Sequence, residues 1–274
     1  MLVKGNSGFG IELVNELTIR KSSSPRNSDR LKRQIEKQIQ FHHQSRHERV
    51  RTPKILDTAS ANGVFHADME FVAAKDFVQF LSEADRASLD DFGEVLLRFV
   101  KTNLAASREM EISGDIRAKL KELAGRGVPG EYIRAAENRC QEPISVPVGA
   151  CHGDLTLSNI LFKGDTLYLL DFLDSYVESP LQDIVKIRQD TYFLWSLLLY
   201  QADFNWPRLQ ISLQYLDRRI EQAFQSYDWY RRHYELFQFI NMMRVLPYCV
   251  EAKTTKLVTE ALDAMSQHFT AESH

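Results

Sequence analysis

Apolar and polar residues alternate near the start of the chain and then fall at helical spacing over most of the remainder. Phe9, Ile11 and Leu13 occupy every second position, as do Leu17 and Ile19, with Val14-Asn15-Glu16 between them. Period two is the mark of a strand with one buried face, so these runs predict two short antiparallel strands joined by a tight turn. Ser, Pro and Asn dominate residues 22–29, a loop in which Asp29 can cap a following helix, and Leu31, Ile35, Ile39 and His42 give that helix its apolar stripe. Thr52-Pro53 ends it and Lys54-Ile55-Leu56 opens another strand. Asn62-Gly63 is a hairpin turn, and residues 64–72 form its return strand. From Phe77 the period becomes helical through Phe80, Leu81, Leu89, Phe92, Leu96, Phe99 and Val100. After Asp183 helical patterns cover 192–200, 213–224, 234–245 and 256–269, while 125–130 and 143–149 have loop composition. The pattern predicts an α+β chain: a small antiparallel β lobe with one helix over residues 1–72, then a larger, mostly helical lobe over 73–274.

Length and composition narrow the function. The chain has 274 residues, 44% hydrophobic and 26% charged, an ordinary globular balance with enough apolar content for a sizeable core. A formal charge of −3 and a pI near 6.3 argue against a protein that coats nucleic acid, because neutralising phosphates needs a basic excess. The most apolar stretch, residues 193–200, is far shorter than the roughly twenty residues a bilayer requires, so no membrane span is expected. Cys140, Cys151 and Cys249 are widely separated and form no CxxC pair, as in reduced thiols of a cytoplasmic protein.

Residues 151–171 hold the densest chemistry. His152-Gly153-Asp154 is a polar turn, and Asn159 follows Asp154 by five residues. Ile160-Leu161-Phe162 and residues 167–170 are apolar runs either side of the turn Lys163-Gly164-Asp165, and the second run ends at Asp171. A hairpin would therefore have one Asp and one Asn in the loop before it and another Asp just after it. A carboxylate beside a hydroxyl can accept its proton, and an amide oxygen with a second carboxylate makes a hard-oxygen donor set suited to Mg²⁺ and phosphate oxygens.

This H-G-D-x-x-x-x-N segment, followed by an apolar strand and Asp171-Phe172, resembles the aminoglycoside phosphotransferase and choline kinase family, relatives of protein kinases. The likeness continues through Leu173-Asp174 and Ser179-Pro180-Leu181-Gln182-Asp183-Ile184 and, more weakly, over nearly the whole chain. Residues 171–190 look closer to members associated with building bacterial capsule or surface polysaccharide. The resemblance implies a protein-kinase-like two-lobe fold that moves the γ-phosphoryl group of ATP (or GTP), with Mg²⁺, onto a small-molecule hydroxyl. Carried over, Asp154 would orient or deprotonate the hydroxyl, Asn159 and Asp171 would hold the metal, and His152 and Asp183 would brace the loop. Asp174 could serve as a solvated loop residue or a neighbour of the metal.

At the front, Gly5-Asn6-Ser7-Gly8-Phe9-Gly10 lies between a very short strand and the next one, and its backbone N–H groups could approach phosphates; Gly5, Ser7 and Gly8 are the candidates. In register with a kinase V-A-I-K strand, Leu17-Thr18-Ile19-Arg20 places Arg20 at the nucleotide lysine, whereas a one-residue bulge would present Lys21. Glu36 would be the acidic partner from the helix, with an exposed charge paired to Lys32 as the alternative. Met69-Glu70-Phe71-Val72 resembles the hinge, where Glu70 and Val72 would meet the adenine edge. The acceptor, a sugar or amino alcohol, would draw on Ser175, Tyr176, Glu178, Arg188, Asp190, Tyr192, Trp195, Asp203 and Glu235. Another reading is a pseudokinase-like module that binds a nucleotide or partner without transfer.

Overall fold

The computed structural model describes residues 3–4, 8–45 and 47–271. In chain order the strands are β1 (Val3–Lys4), β2 (Gly10–Asn15), β3 (Thr18–Ser22), β4 (Val50–Arg51), β5 (Ile55–Ala61), β6 (Val64–Glu70), β7 (Arg108–Glu111), β8 (Ser145–Val148), β9 (Ile160–Lys163) and β10 (Thr166–Leu169). The helices are α1 (Ser28–Gln44), α2 (Phe77–Glu83), α3 (Arg86–Ala105), α4 (Ser113–Gly125), α5 (Gly130–Asn138), α6 (Pro180–Thr191), α7 (Trp195–Leu198), α8 (Trp206–Phe224), α9 (Asp228–Val245) and α10 (Ala252–Ala271). The chain divides into two compact units, one of residues 1–95 with 157–174, the other of residues 96–156 with 175–274.

In the first unit, β1-β2-β3-β6-β5 form an antiparallel sheet. The Asn62-Gly63 turn has φ of 52° and 76°, the doubly positive geometry of a tight hairpin that only Gly and Asn adopt cheaply. Along β6 the buried positions are Phe65, Ala67 and Met69, and they pack with Leu31 and Ile35 of α1 and with Phe9. The period of two in the strand and of three to four in the helix therefore meet in one core. A second sheet, β4-β10-β9, contains the expected 160–169 hairpin, with β4 parallel to β10. The Phe162 ring of β9 stacks on Phe80, centroids 4.1 Å apart, and meets Phe92 edge-on at 5.1 Å. That aromatic packing is why 77–95 and 157–174 join the first unit, and the compact units divide the chain elsewhere than after Val72.

In the second unit α9 is the central helix, with Phe237, Phe239, Ile240 and Met243 fully buried and α6, α10 and α5 packed against it. Every residue of α6 is buried, charged ones included. The helical pattern over 192–200 is broken: α6 ends at Thr191 and Leu194 takes a left-handed φ of 61° before the short α7. Strands β7 and β8 pair antiparallel in a stretch whose short, Pro-containing sequence gave no strand signal. No described helix is long and apolar enough to cross a membrane.

Candidate functional site

Buried charge needs partners, and the partners of α6 build a loop. Asp183, in the first turn of α6 and fully buried, accepts hydrogen bonds from the N–H groups of His152 and Gly153, each at 2.8 Å. Gly153 has φ 85°, which lets two successive amides turn toward one carboxylate. His152 is buried too, and its Nδ1 accepts from the Asp154 N–H at 3.2 Å. These bonds hold the Asp154 side chain, 28% exposed, 3.0 Å from Lys186 one helical turn beyond Asp183. Burial pushes the Asp154 carboxyl up, but the Lys186 ammonium outweighs it, aided by His152 and Arg244, so the group lies below its ordinary value. Burial pulls the Lys186 ammonium down against the opposing attraction of Asp154. Asp154 is thus an ionised, partly exposed carboxylate on a rigid loop, a group able to accept a proton from a hydroxyl.

Arg188, further along α6, forks onto Asp217 with two bonds of 2.9 Å and also meets Glu221 and Tyr230, and Asp190 binds the N–H and hydroxyl of Ser196, each at 2.9 Å. Arg188 and Asp190 are therefore engaged structurally. Arg188, Tyr192 and Glu235 also line a cavity of about 440 Å³ with Tyr234 and Gln238. Ser175, Tyr176 and Glu178 cluster instead near Arg244: the Tyr176 ring lies 5.5 Å from the Arg244 guanidinium, and Glu178 accepts from the Ser175 N–H at 2.8 Å.

In the first unit Lys21 is buried, with its ammonium 2.7 Å from Asp171, 3.3 Å from the Gln34 amide oxygen and 4.8 Å from the centre of the Phe9 ring. Asp171 has φ 57°, a left-handed conformation that Asp tolerates better than most residues and that turns a strand end sharply. The Leu170 N–H donates to the Asn159 carbonyl at 2.9 Å, which ties the residue preceding Asp171 to Asn159. No group of three His, Cys, Asp or Glu among the described residues could cage a metal. One carboxylate and one amide oxygen suit Mg²⁺, which keeps several waters and takes its remaining ligands from phosphates. Helix α1 then grips the chain after Asp171: Lys37 donates to the Leu173 carbonyl, Arg33 binds Asp174 at 2.9 Å, and Phe41 meets Phe172 at 5.0 Å.

Two expectations change here. Arg20, placed at the nucleotide position by register, lies opposite Asp68 across the strand pair and binds it through two bonds of 2.6 and 2.8 Å, with Glu12 4.0 Å away. Its neighbour Lys21 points to the other face with no bulge at that position, because Ile19 and Lys21 share the parity that faces α1. Glu36 is on the exposed side of α1, and the helix residue reaching Lys21 is Gln34. Gly5 and Ser7 lie outside the described residues, while Gly8 is exposed with φ +77°. At the end of β6 the Glu70 and Phe71 N–H groups bind the Lys54 and Leu17 carbonyls, and Val72 is buried. Gln34, Lys186 and Arg244 went unread in the sequence. Gln34 sits one turn before Gln38 on the stripe of Leu31 and Ile35, and Lys186 sits one turn after Asp183, a spacing that signals a shared helix face.

A five-stranded antiparallel sheet carrying one long helix, followed by a polar loop, a hairpin and a mostly helical unit, is the α+β architecture of the protein-kinase-like phosphotransferases. A solved aminoglycoside phosphotransferase, a thermostable mutant of APH(4)-Ia without ligand, superimposes with a TM-score of 0.67 at 9% identity, covering 98% of this chain and 94% of that one. A further variant of the same enzyme, in a ternary complex with ADP and hygromycin B, gives 0.65 at 8% identity over 97% and 92%. The GDP and kanamycin complex of APH(2")-IIia gives 0.63 at 14% identity over 97% and 91%. No curated protein matches the sequence. The model of the phosphotransferase enzyme family matches residues 19–205, and the chain belongs to that family. It is a kinase-type phosphotransferase acting on hydroxyl groups of small molecules.

Proposed function

We propose that the chain moves the γ-phosphoryl group of ATP or GTP, complexed with Mg²⁺, onto a hydroxyl of a small molecule in the cytoplasm. The observation carrying this reading is buried Lys21 beside Asp171, residues 150 positions apart in sequence and 2.7 Å apart in space. A lysine so held can donate to nucleotide phosphates while the carboxylate, with Asn159, takes the metal. Mg²⁺ would neutralise phosphate charge. Asp154 would accept the acceptor's proton as the hydroxyl oxygen forms its bond to the γ-phosphorus, and the bond to the β,γ-bridging oxygen breaks to release nucleoside diphosphate. Gly8, Glu70 and Val72 would contribute backbone contacts to the nucleotide. The solved relatives with GDP and kanamycin, and with ADP and hygromycin B, support a nucleotide and a small acceptor as the two ligands.

Asp154→Asn keeps the loop's shape and removes the proton acceptor. Acceptor-dependent nucleotide consumption should fall by at least ~100-fold, the usual share of a positioned base, with nucleotide affinity retained. Turnover near the wild-type rate would remove Asp154 from the mechanism. Gln34, a neutral amide beside Lys21, favours the second reading of a non-transferring nucleotide-binding module. That reading predicts calorimetric binding of nucleotide with no consumption across sugars, amino alcohols and nucleosides.

A further inference from the structure

Asp154 does not stand in a neutral environment. Lys186 is at 3.0 Å, and the Arg244 charge is close enough to act on both members of that pair. Arg244 itself has no carboxylate partner among the described residues. Its guanidinium lies 5.5 Å from the centre of the Tyr176 ring, and its Nη1 is buried with nothing to donate to. On α4, Lys119 approaches the same ring at 5.9 Å, with its side chain 10% exposed. Lys119 is already shared with Glu122 at 2.8 Å. The Ser175 hydroxyl is likewise buried with no hydrogen-bond partner, and the buried Tyr176 hydroxyl lies beside the Gln182 amide. The acid in the same loop, Glu178, is occupied by the Ser175 N–H and the Cys151 thiol.

A guanidinium nitrogen removed from water with no acceptor is an unfavourable arrangement unless something arrives to accept from it, and planar, permanently charged Arg suits carboxylate and phosphate oxygens. A quaternary ammonium or polyamine acceptor would meet Arg244 as a like charge with no carboxylate partner of its own, whereas Lys119 and Lys186 already face Glu122 and Asp154. We infer that the acceptor carries an anionic group, a carboxylate or a phosphate in addition to the hydroxyl that is phosphorylated, bound by Arg244 and Lys119 with the Ser175 and Tyr176 hydroxyls. This rests on the reading of Asp154 as the group that handles the acceptor hydroxyl, and it narrows the acceptor to hydroxylated acids or phosphorylated sugars.

The test takes the full chain and four compounds: D-glucuronate, glucose 1-phosphate, glucose and choline. Each is titrated by calorimetry without nucleotide and then assayed as an acceptor. At least one of the two anions should bind and be phosphorylated, with glucose and choline weaker by about tenfold or more, and the preferred anion distinguishes carboxylate from phosphate. Arg244→Gln should weaken anion binding by about tenfold or more, Arg244→Lys by less, and Lys119→Gln by a smaller factor because that lysine is already paired, all without change in nucleotide KM. The inference is overturned if neither anion binds, if choline or glucose binds as tightly as the preferred anion, or if Arg244→Gln, shown to be folded by circular dichroism, keeps wild-type anion affinity. Asp154→Asn separates the two readings: it should retain anion binding and lose transfer. Continued transfer by that variant would defeat the phosphotransfer role of Asp154 while leaving the anion site standing.

Discussion

At the scale of single residues the decisive pair is Asp154 with Lys186, because each would be costly alone. Their separation is 3.0 Å, with side chains 28% and 9% exposed. Burial raises a carboxyl's pKa, and here the ammonium more than offsets it, leaving Asp154 below its ordinary value. A carboxylate so held stays ionised through the neutral range, and in the proposed role of base it would lose function only as pH falls toward the depressed value. Lys186→Met removes the largest lowering influence and leaves burial opposed more weakly, by groups such as His152 and Arg244. The acid limb of the pH profile of kcat/KM should therefore move to higher pH, a displacement read directly from initial rates between pH 5 and 8. Stability should respond with the same sign: a half-buried carboxylate that has lost its ammonium partner costs about 1–3 kcal/mol at neutral pH, and less in acid, where protonation discharges it. Urea unfolding at two pH values checks this. An unmoved acid limb would mean that Lys186 does not set the state of Asp154.

At the scale of elements, one strand's register decides which cation of β3 meets Asp171. In β3 the positions alternate, so Ile19 and Lys21 face α1 while Arg20 faces the side on which Asp68 and Glu12 sit directly across. Lys21→Ala should raise nucleotide KM by about tenfold or more, whereas Arg20→Ala, whose partners are Asp68 and Glu12 rather than Asp171, should leave it within about twofold. Steady-state kinetics in nucleotide decides, and the reverse ranking would restore Arg20 to the phosphate. This is also where the sequence is instructive. Phe9, Ile11 and Leu13, the Asn62-Gly63 turn and the 160–169 hairpin are local patterns, and local patterns are legible because hydrophobic period and turn chemistry act over a few residues. The H-G-D-x-x-x-x-N spacing is equally local. Which of Arg20 and Lys21 meets Asp171 is settled by a pairing 150 residues away and by the acid at 68, neither of which a reading of the β3 segment contains. Glu36 lies on the exposed face for the same reason: the angular position of Gln34 on the stripe of Leu31 and Ile35 gives that neutral amide the contact with Lys21. Residues 192–200 kept helical spacing, yet Leu194 turned left-handed where Asp190 captures Ser196.

At the scale of the whole molecule, the proposed groups are distributed over both compact units: Asp154 belongs to the second, while Asn159 and Asp171 belong to the first. That distribution lets ligand linkage assign each residue to its ligand, because a ligand that binds only the native state raises its stability by RT ln(1 + [L]/Kd). Nucleotide with Mg²⁺ at one hundred times its Kd should contribute about 2.7 kcal/mol, which for a chain of this size corresponds to a Tm rise of about 5 °C in scanning calorimetry. Mg²⁺ alone should do little, since one carboxylate and one amide oxygen leave most of the coordination sphere to phosphates and water. Asp171→Ala should abolish the increment that depends on Mg²⁺ and leave the smaller one produced by nucleotide in EDTA. Asp154→Asn should keep the full Mg-nucleotide rise, because its carboxylate serves the acceptor. An Asp171→Ala protein that shows the wild-type metal-dependent rise would exclude Asp171 as a ligand. Loss of the rise in Asp154→Asn would instead place Asp154 among the metal-binding groups and reverse the division of labour proposed for the two units.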